Sequence, residues 1–235
     1  MESEKFNPVS AIKTRSKMMY SFLVRISAET LFKTNSKEYW NYRMALDWSI
    51  AGGNNQTSLF ATGLFAYVDR KQLGEVSSIL DFGCGMGDSA PIINMFFPSA
   101  KIGLYDLSDV ALDKGISKYS PHLPVVKHKA GNTYDLVYSS NVIEHVDDPK
   151  AFVEGLIKLS NKVIIIQCPW EEMHPDNGAL ISPENATYEH FWTINDDFME
   201  NNISCFDVDW SVIVGDVPIA WPKGKQAFFV GIKRD

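Results

Sequence analysis

The chain has 235 residues, and its 29 acidic against 22 basic side chains give a net charge of −7. A chain of this length can bury roughly 70–75% of its unfolded surface, so one α/β domain with an appendage is the simplest expectation. The acidic balance gives a poor electrostatic footprint for nucleic acid, and we therefore expect no DNA partner.

The cysteines and the hydropathy of the chain indicate the cellular compartment in which we expect the protein. Cys84, Cys168 and Cys205 are an odd, scattered set without a C-x-x-C pair, which favours a reducing compartment. No apolar run approaches the roughly 18 residues of a membrane span, and residues 1–10 lack the apolar core of a signal peptide. We expect a cytoplasmic protein without a transmembrane segment.

Positive charge is concentrated at the N-terminus. Residues 1–37 carry seven basic and three acidic side chains, a net +4, which leaves −11 for the remainder. Apolar side chains in this stretch can share one helical face, namely Met18, Met19, Phe22, Leu23 and Ile26. The arm could contact an anionic partner or a membrane surface, or, more simply, dock on its own domain. We assign residues 1–70 to a helical arm and cap, and residues 71–235 to the main domain.

An apolar strand then runs directly into three alternating glycines. Residues 78–88 read S-I-L-D-F-G-C-G-M-G-D, and Ile79 and Leu80 suit a strand buried on both faces. The glycines remove side chains from the turn, so a ligand can rest against bare backbone. Asp88 suits the N-cap of a following helix. The order strand, glycine turn, helix favours a nucleoside cofactor.

A second acidic position narrows the choice of cofactor. Asp106 ends a strand over residues 101–105, nineteen positions after Gly87, where a carboxylate can accept hydrogen bonds from ribose hydroxyls. A dinucleotide G-x-G-x-x-G pattern would put Asp88 in its last place, beside a pyrophosphate. NAD is therefore disfavoured.

The G-x-G-x-G form with Asp81 before it resembles motif I of the class I S-adenosylmethionine-dependent methyltransferases. The resemblance implies a Rossmann-like, mostly parallel sheet with a C-terminal antiparallel hairpin, and S-adenosyl-L-methionine as cofactor, with S-adenosyl-L-homocysteine as product. It implies that Asp81 holds the methionine amino group. The cofactor-binding residues then expected in the main domain are Asp81, Gly83, Cys84, Gly85, Gly87, Asp106, Leu107 and Asn141.

An aromatic segment precedes this domain. Its E-Y-W-x-x-R pattern, before a glycine and asparagine loop, resembles the N-terminal region of methyltransferases that often accompany surface-polysaccharide synthesis. The resemblance implies that Tyr39, Trp40 and Arg43 line or close the cofactor site, with Arg43 as a partner of the methionine carboxylate. The alternative is an aromatic cluster that packs the arm onto the sheet.

Residues 133–149, T-Y-D-L-V-Y-S-S-N-V-I-E-H-V-D-D-P, resemble the motif at the fourth strand of small-molecule methyltransferases, beside the transferable methyl. The [N/D]-P-P-[Y/F] motif of amino-adenine methyltransferases is absent, so methylation of nucleic-acid bases is disfavoured. The connection before this strand is short, because residues 129–133 replace a crossover that ordinarily needs about a dozen residues. The third strand, residues 125–127, should be short, displaced or absent. Asn132 or a backbone carbonyl could then serve the adenine.

The C-terminal third is predicted to recognise the acceptor. An insertion over about 169–192 follows the carboxyl end of a strand, where open α/β sheets bind ligands, and it offers Trp170, His174, Tyr188 and His190. His174 and His190 lack the spacing of metal ligands, so we expect no metal site.

The resemblance implies methyl transfer to a small polar acceptor, and we expect a hydroxyl of a sugar or sugar-like metabolite. Such a hydroxyl needs a base, and His145 with Glu144 are the candidate catalytic residues. Both could instead brace the following helix. Two other functions stay open: a noncatalytic S-adenosylmethionine-binding subunit, and a protein or RNA methyltransferase that depends on a partner.

Overall fold

The computed structural model describes residues 8–186, 189–222 and 224–234. Short 3₁₀ turns lie at Arg70–Leu73 and Ile143–His145. The other elements in chain order are α1 (Pro8–Leu31), α2 (Lys37–Leu46), α3 (Gly53–Tyr67), β1 (Ser78–Phe82), α4 (Ala90–Phe96), β2 (Lys101–Tyr105), α5 (Asp109–Tyr119), β3 (Val125–Lys127), β4 (Tyr134–Ser140), α6 (Pro149–Leu159), β5 (Ser160–Trp170), α7 (Asp196–Asn202), β6 (Asp209–Asp216) and β7 (Lys225–Ile232).

The described strands form one sheet in the order β3-β2-β1-β4-β5-β7-β6. Strands β1 to β5 pair in parallel, and β7 lies antiparallel between β5 and β6. The prediction of a Rossmann-like, mostly parallel sheet with a C-terminal antiparallel hairpin is confirmed. The carboxyl ends of β1, β2 and β4 meet at one edge, so the polar residues that follow them are brought together.

Each face of the sheet carries its own apolar layer, because side chains alternate along a strand. On one face Ile79 and Ile102 pack with residues of α3, α4 and α5. On the other, Leu80 and Val137 pack with residues of α6 and α7. Full burial of one such side chain contributes roughly 1.5–3 kcal/mol, which makes the strands a rigid base for the loops that follow them.

The third strand has three residues and pairs only with β2 among the described strands. No helix lies between β3 and β4, and residues 128–133 cross directly from one to the other, so the predicted short third strand is confirmed. The ring of Tyr134 packs against Gly103 of β2: a Cβ there would lie 2.6 Å from the Tyr134 hydroxyl oxygen. That hydroxyl is 3.0 Å from His128 Nδ1. Tyr134 thus covers the sheet where a crossover helix is missing.

Helix α1 packs on its own domain, but not through the apolar face noted in the sequence. It contacts α2 and buries Val24 and Ala28, while Ser21 Oγ donates to Asp47 Oδ2 at 2.8 Å. The five apolar residues that can share one helical face are 43–68% exposed, because the contact with α2 runs along the side marked by Val24 and Ala28. Among the described helices, none has the length and apolarity to cross a membrane. The division into an arm and a main domain stays a prediction.

Candidate active site

A pocket of about 580 Å³ opens at the carboxyl ends of β1, β2 and β4. This volume lies in the range of about 300–1,000 Å³ that is usual for small-molecule sites. One half is lined by the glycine turn and the residues that follow β2. The other half is lined by the residues that follow β4 and by part of the insertion.

The glycine turn owes its shape to backbone conformation. Gly83, Gly85 and Gly87 have φ angles of 79°, 53° and 71°, a left-handed region that favours glycine. A Cβ on Gly83 would collide with Val142, whereas one on Gly85 would have nothing closer than Met44 Cε at 4.0 Å. Gly83, Cys84 and Gly85 line the pocket, and Gly87 does not. A ligand can therefore approach the bare backbone of the turn at Gly85.

Asp81 is a buried carboxylate at the end of β1. It is 2% exposed and accepts a hydrogen bond from Ser89 Oγ. Burial raises the pKa of Asp81 to about 7, because the ionised form has lost its water without gaining a cation. This carboxylate lines the pocket.

Asp106 lies beside it, after β2. Its Oδ2 accepts from the Gly85 backbone N–H at 2.7 Å and its Oδ1 from that of Ser108 at 2.8 Å. Burial raises the pKa of Asp106 to about 6, although these two N–H groups oppose the rise. Two pocket-lining carboxylates with raised pKa values are typical of a functional site.

Asp88 is not the N-cap that the sequence predicted. Helix α4 begins at Ala90 with Ser89 in the cap position, so Asp88 lies one residue too early. Its carboxylate accepts instead from Lys118 Nζ at 2.7 Å and from Tyr119 Oη at 2.6 Å. Asp88 therefore ties the glycine turn to α5.

The aromatic segment divides between the pocket and the interior. Trp40 lines the pocket, while Tyr39 is fully buried behind it. Arg43 Nε donates to Asp47 Oδ1 at 2.8 Å, and Arg43 Nη1 pairs with Glu189 and donates to Tyr39 Oη at 3.0 Å. The structure directs Arg43 to protein carboxylates, which leaves no observation in favour of its predicted role with the methionine carboxylate.

The residues after β4 form the other wall. Asn141 has a φ of 54°, and its N–H donates to the Gln167 carbonyl at 2.7 Å. Glu144 is 1% exposed, and burial raises its pKa to about 7. Burial, and then the charge of His190, lower the pKa of His145 to about 3. Since His145 Nδ1 lies 2.9 Å from the Glu189 carbonyl, Nδ1 donates and Nε2 carries the free lone pair.

The insertion contributes one predicted acceptor residue to the pocket. His190 lines it, with Nδ1 2.5 Å from Glu172 Oε2 and its ring stacked on Trp221. Trp170 packs against Phe229 in the core, outside the pocket. His174 Nδ1 accepts from the Asp176 N–H at 3.2 Å, within a turn away from the pocket lining. Tyr188 lies outside the described residues.

Two residues near the pocket, Glu189 and Trp221, belong to no sequence motif and were not predicted. Glu189 holds Arg43, Tyr39 and, through its carbonyl, His145. Burial alone would raise the pKa of Glu189, but the charges of Arg43 and Arg25 and the hydrogen bond from Tyr39 act together to keep it below its ordinary value. Trp221 arrives from the loop between β6 and β7. The sequence signal for Glu189 was indirect: a buried arginine needs a carboxylate partner.

The methyltransferase domain family matches residues 55–198 of this chain. The match spans more than half of the chain and includes the glycine turn, both pocket aspartates and the residues after β4. The chain therefore belongs to this family of methyltransferases. No curated protein matches it by sequence.

Solved structures agree on the fold. The plantazolicin methyltransferase BpumL, in complex with a desmethylplantazolicin analogue and S-adenosylhomocysteine, superposes with a TM-score of 0.59 at 13% identity over 94% of this chain and 100% of its own. DesVI of Streptomyces venezuelae gives 0.56 at 13% over 80% and 95%. Magnesium protoporphyrin IX methyltransferase from Synechocystis PCC 6803, with S-adenosylhomocysteine, gives 0.52 at 12% over 79% and 85%. The predicted class I methyltransferase fold is confirmed, and the S-adenosylhomocysteine in two of these structures is consistent with the predicted cofactor.

Proposed function

We propose that this chain transfers a methyl group from S-adenosylmethionine to a small polar acceptor, with a hydroxyl of a sugar or sugar-like metabolite as the expected acceptor. One observation carries the proposal: Asp81 and Asp106 line the same pocket as Glu144, His145 and His190. The proposed donor-binding carboxylates and acceptor-side groups thus face one pocket.

The donor half fits S-adenosylmethionine. Asp81 is a buried carboxylate whose pKa is raised by lost hydration, and the ammonium of the methionine moiety would restore a favourable charge partner. Asp106 is placed to accept hydrogen bonds from ribose hydroxyls. Leu107 is 45% exposed and lines the pocket, where it offers apolar surface to the adenine. When bound, S-adenosylmethionine supplies a methyl group on a positively charged sulfur.

The acceptor half supplies orientation and proton control. His145 is neutral at physiological pH, and its Nε2 lone pair is the group that can accept or hold an acceptor hydroxyl. Trp221 and Trp40 give this half aromatic walls. An O-methyltransferase family protein from Burkholderia thailandensis shares the fold at a TM-score of 0.57 and 12% identity over 83% of this chain and 62% of its own, which supports the choice of an oxygen acceptor.

A thermal shift assay tests the donor site. S-adenosylhomocysteine should raise the melting temperature by mass action while NAD does not, because a ligand that binds only the folded chain stabilises it. The variant Asp106→Ala should lose the shift, and the surface variant His122→Ala should keep it. No shift in the intact protein would refute the donor assignment. A mass-spectrometric screen of hydroxylated acceptors, which reads a gain of one methyl, then tests the reaction.

A second candidate function is a donor-binding subunit that works only with a partner. It is favoured by the exposed apolar side chains of α1, since a solvated apolar face of this kind suits a contact surface. Turnover by the purified chain in the acceptor screen would exclude it. A donor-induced shift without turnover on any acceptor would favour it.

A further inference from the structure

Three potential metal ligands converge in the acceptor half of the pocket. One ring nitrogen from each of His145 and His190 and one carboxylate oxygen of Glu144 all lie within 4.8 Å of one another. His145 Nε2 is 3.9 Å from Glu144 Oε1. Donor atoms at about 2.1 Å around a tetrahedral ion would stand about 3.4 Å apart, so a small side-chain adjustment brings these three to ligand distance.

The Nδ1 atoms of both imidazoles are engaged outside the cluster. His145 Nδ1 is 2.9 Å from the Glu189 carbonyl, and His190 Nδ1 is 2.5 Å from Glu172 Oε2. This leaves Nε2 of each ring as the free nitrogen. Metal-binding histidines ordinarily have such a carbonyl or carboxylate on the other nitrogen, which fixes the ring and raises its basicity. The surroundings of the cluster thus match those of metal ligands.

Glu144 supplies an independent observation. Its side chain is 1% exposed, and neither carboxylate oxygen has a hydrogen-bond partner among the described residues. A buried carboxylate without a partner is costly, because it has lost its hydration without compensation. A cation between Glu144 and the two histidines would satisfy it.

We propose that Glu144, His145 and His190 bind a divalent first-row transition-metal ion at the acceptor end of the pocket. Two imidazoles and one carboxylate suit Zn²⁺, Fe²⁺ or Co²⁺, and three protein ligands leave open positions for an exogenous oxygen. The sequence expectation of no metal rested on His174 with His190, and His174 is not part of this cluster.

A catalytic role for this ion rests on the proposed methyl transfer to a hydroxyl. An acceptor hydroxyl in an open coordination position would have its pKa lowered by the cation and would release its proton to bulk water. His145 would then act as a ligand that positions the cation. This role favours an acceptor with an oxygen able to coordinate the cation.

Metal binding is measured directly with Co²⁺, whose visible absorption reports the geometry of its ligands. Metal-free protein with its full chain is titrated with CoCl₂, and Zn²⁺ competition by calorimetry gives stoichiometry and affinity. We expect one ion per chain, loss of the absorption in Glu144→Gln and in His190→Ala, and retention in His122→Ala, which removes an exposed histidine outside the cluster. Glu172→Gln should weaken binding by about 10–100-fold through His190.

Each outcome decides the proposal. Absence of a bound ion in the wild type, or equal Co²⁺ binding by wild type, Glu144→Gln and His190→Ala, overturns it. Circular dichroism and the shift with S-adenosylhomocysteine show whether each variant is folded; should the ligand variants misfold, Glu172→Gln on the half-buried loop carries the test, and unchanged Co²⁺ affinity there overturns the proposal. Failure of the donor assignment appears separately, as no shift with S-adenosylhomocysteine.

Discussion

The guanidinium of Arg43 and the carboxylate of Glu189 form a buried ion pair between helix α2 and the insertion. The same guanidinium holds Asp47, and the Glu189 carbonyl accepts from His145. One arginine in the cap is thereby linked, through a single residue, to the histidine wall of the pocket. Since Glu189 immediately precedes His190, the Arg43–Glu189 ion pair also fixes the position of the His190 backbone.

Replacement of Arg43 should be costly. In Arg43→Ala, Asp47 and Glu189 are left buried without their cation, and removal of one member of a buried pair typically costs about 3–5 kcal/mol. Urea unfolding measures the free energy of unfolding. The control is Lys33→Ala, which removes the exposed Lys33–Asp147 pair and should cost less than about 1 kcal/mol. Equal losses of unfolding free energy in the two variants would contradict a stabilising role for the buried Arg43 ion pairs.

The stability of the ligand-free protein should fall as pH rises through the titration of Asp81. Its folded pKa of about 7 exceeds its ordinary value of 3.8, so between these pH values the unfolded chain gives up the proton first and the free energy of unfolding decreases with pH. Asp81→Asn removes this effect. The variant should match the wild type near pH 4 and exceed it above pH 7 by about 2–4 kcal/mol, while losing the shift with S-adenosylhomocysteine.

Asp135 provides a control of opposite sign. Burial alone would raise the pKa of Asp135, but the hydrogen bonds from Ser77 and the ion pair with Lys162 together outweigh it, and the pKa is lowered. Asp135→Asn should therefore destabilise the protein at pH 7, and the difference should shrink as the pH falls through the folded pKa. For each variant, urea unfolding gives the difference in unfolding free energy from the wild type as a function of pH. This difference should rise with pH for Asp81→Asn and fall with pH for Asp135→Asn. Equal slopes would contradict the assignment to Asp81.

A methyl group on Gly103 should disturb the cover over β2. In Gly103→Ala the new Cβ would meet the Tyr134 ring at 2.6–2.8 Å, and overpacking of this kind costs about 1–3 kcal/mol. Gly155→Ala is the matched control, because a Cβ there meets nothing within 4 Å and alanine favours a helix by about 1 kcal/mol. We expect opposite shifts in melting temperature. A neutral Gly103→Ala would show that the Tyr134 ring moves aside freely.

His145→Ala should separate donor binding from turnover. The side chain lies on the acceptor wall, so the variant should keep the shift with S-adenosylhomocysteine. Turnover should fall by about 10²–10⁴-fold, because control of the acceptor proton is lost whether His145 takes that proton itself or holds a cation that acidifies the hydroxyl. Steady-state rates on an acceptor found by the screen give the answer, with His122→Ala as the reference. Near-normal turnover would reduce His145 to a brace for α6.

The sequence predicted the donor side of the fold well because its signals are local. Glycines at alternating positions, a carboxylate at a strand end and the shortage of residues before β4 each constrain the backbone within a few residues. Arg43 shows the limit of local signals, because its partner Glu189 lies 146 residues away in the sequence. Which carboxylate a buried arginine meets depends on loop packing, which leaves no periodic pattern.

The acceptor side was harder to predict for the same reason. Trp170 follows a strand end and was expected in the pocket, yet it turns to pack on Phe229. His190 lines the pocket, but its pairing with Glu172 and its approach to Glu144 arise from the path of an irregular loop. Burial of Glu144 without partners is a property of the assembled fold alone.

The direct crossing from β3 to β4 leaves the chain almost no slack. By strand register Lys127 stands level with Leu104, Asp81 and Tyr138, four residues beyond Tyr134. The connection must therefore travel about 14 Å sideways and about 13 Å back, close to 20 Å in all. Its seven Cα steps reach at most about 23–25 Å. Each residue added to the end of β3 would increase the distance back to Tyr134 and also remove one residue from the connecting segment. The reach of that segment therefore limits the length of this edge strand.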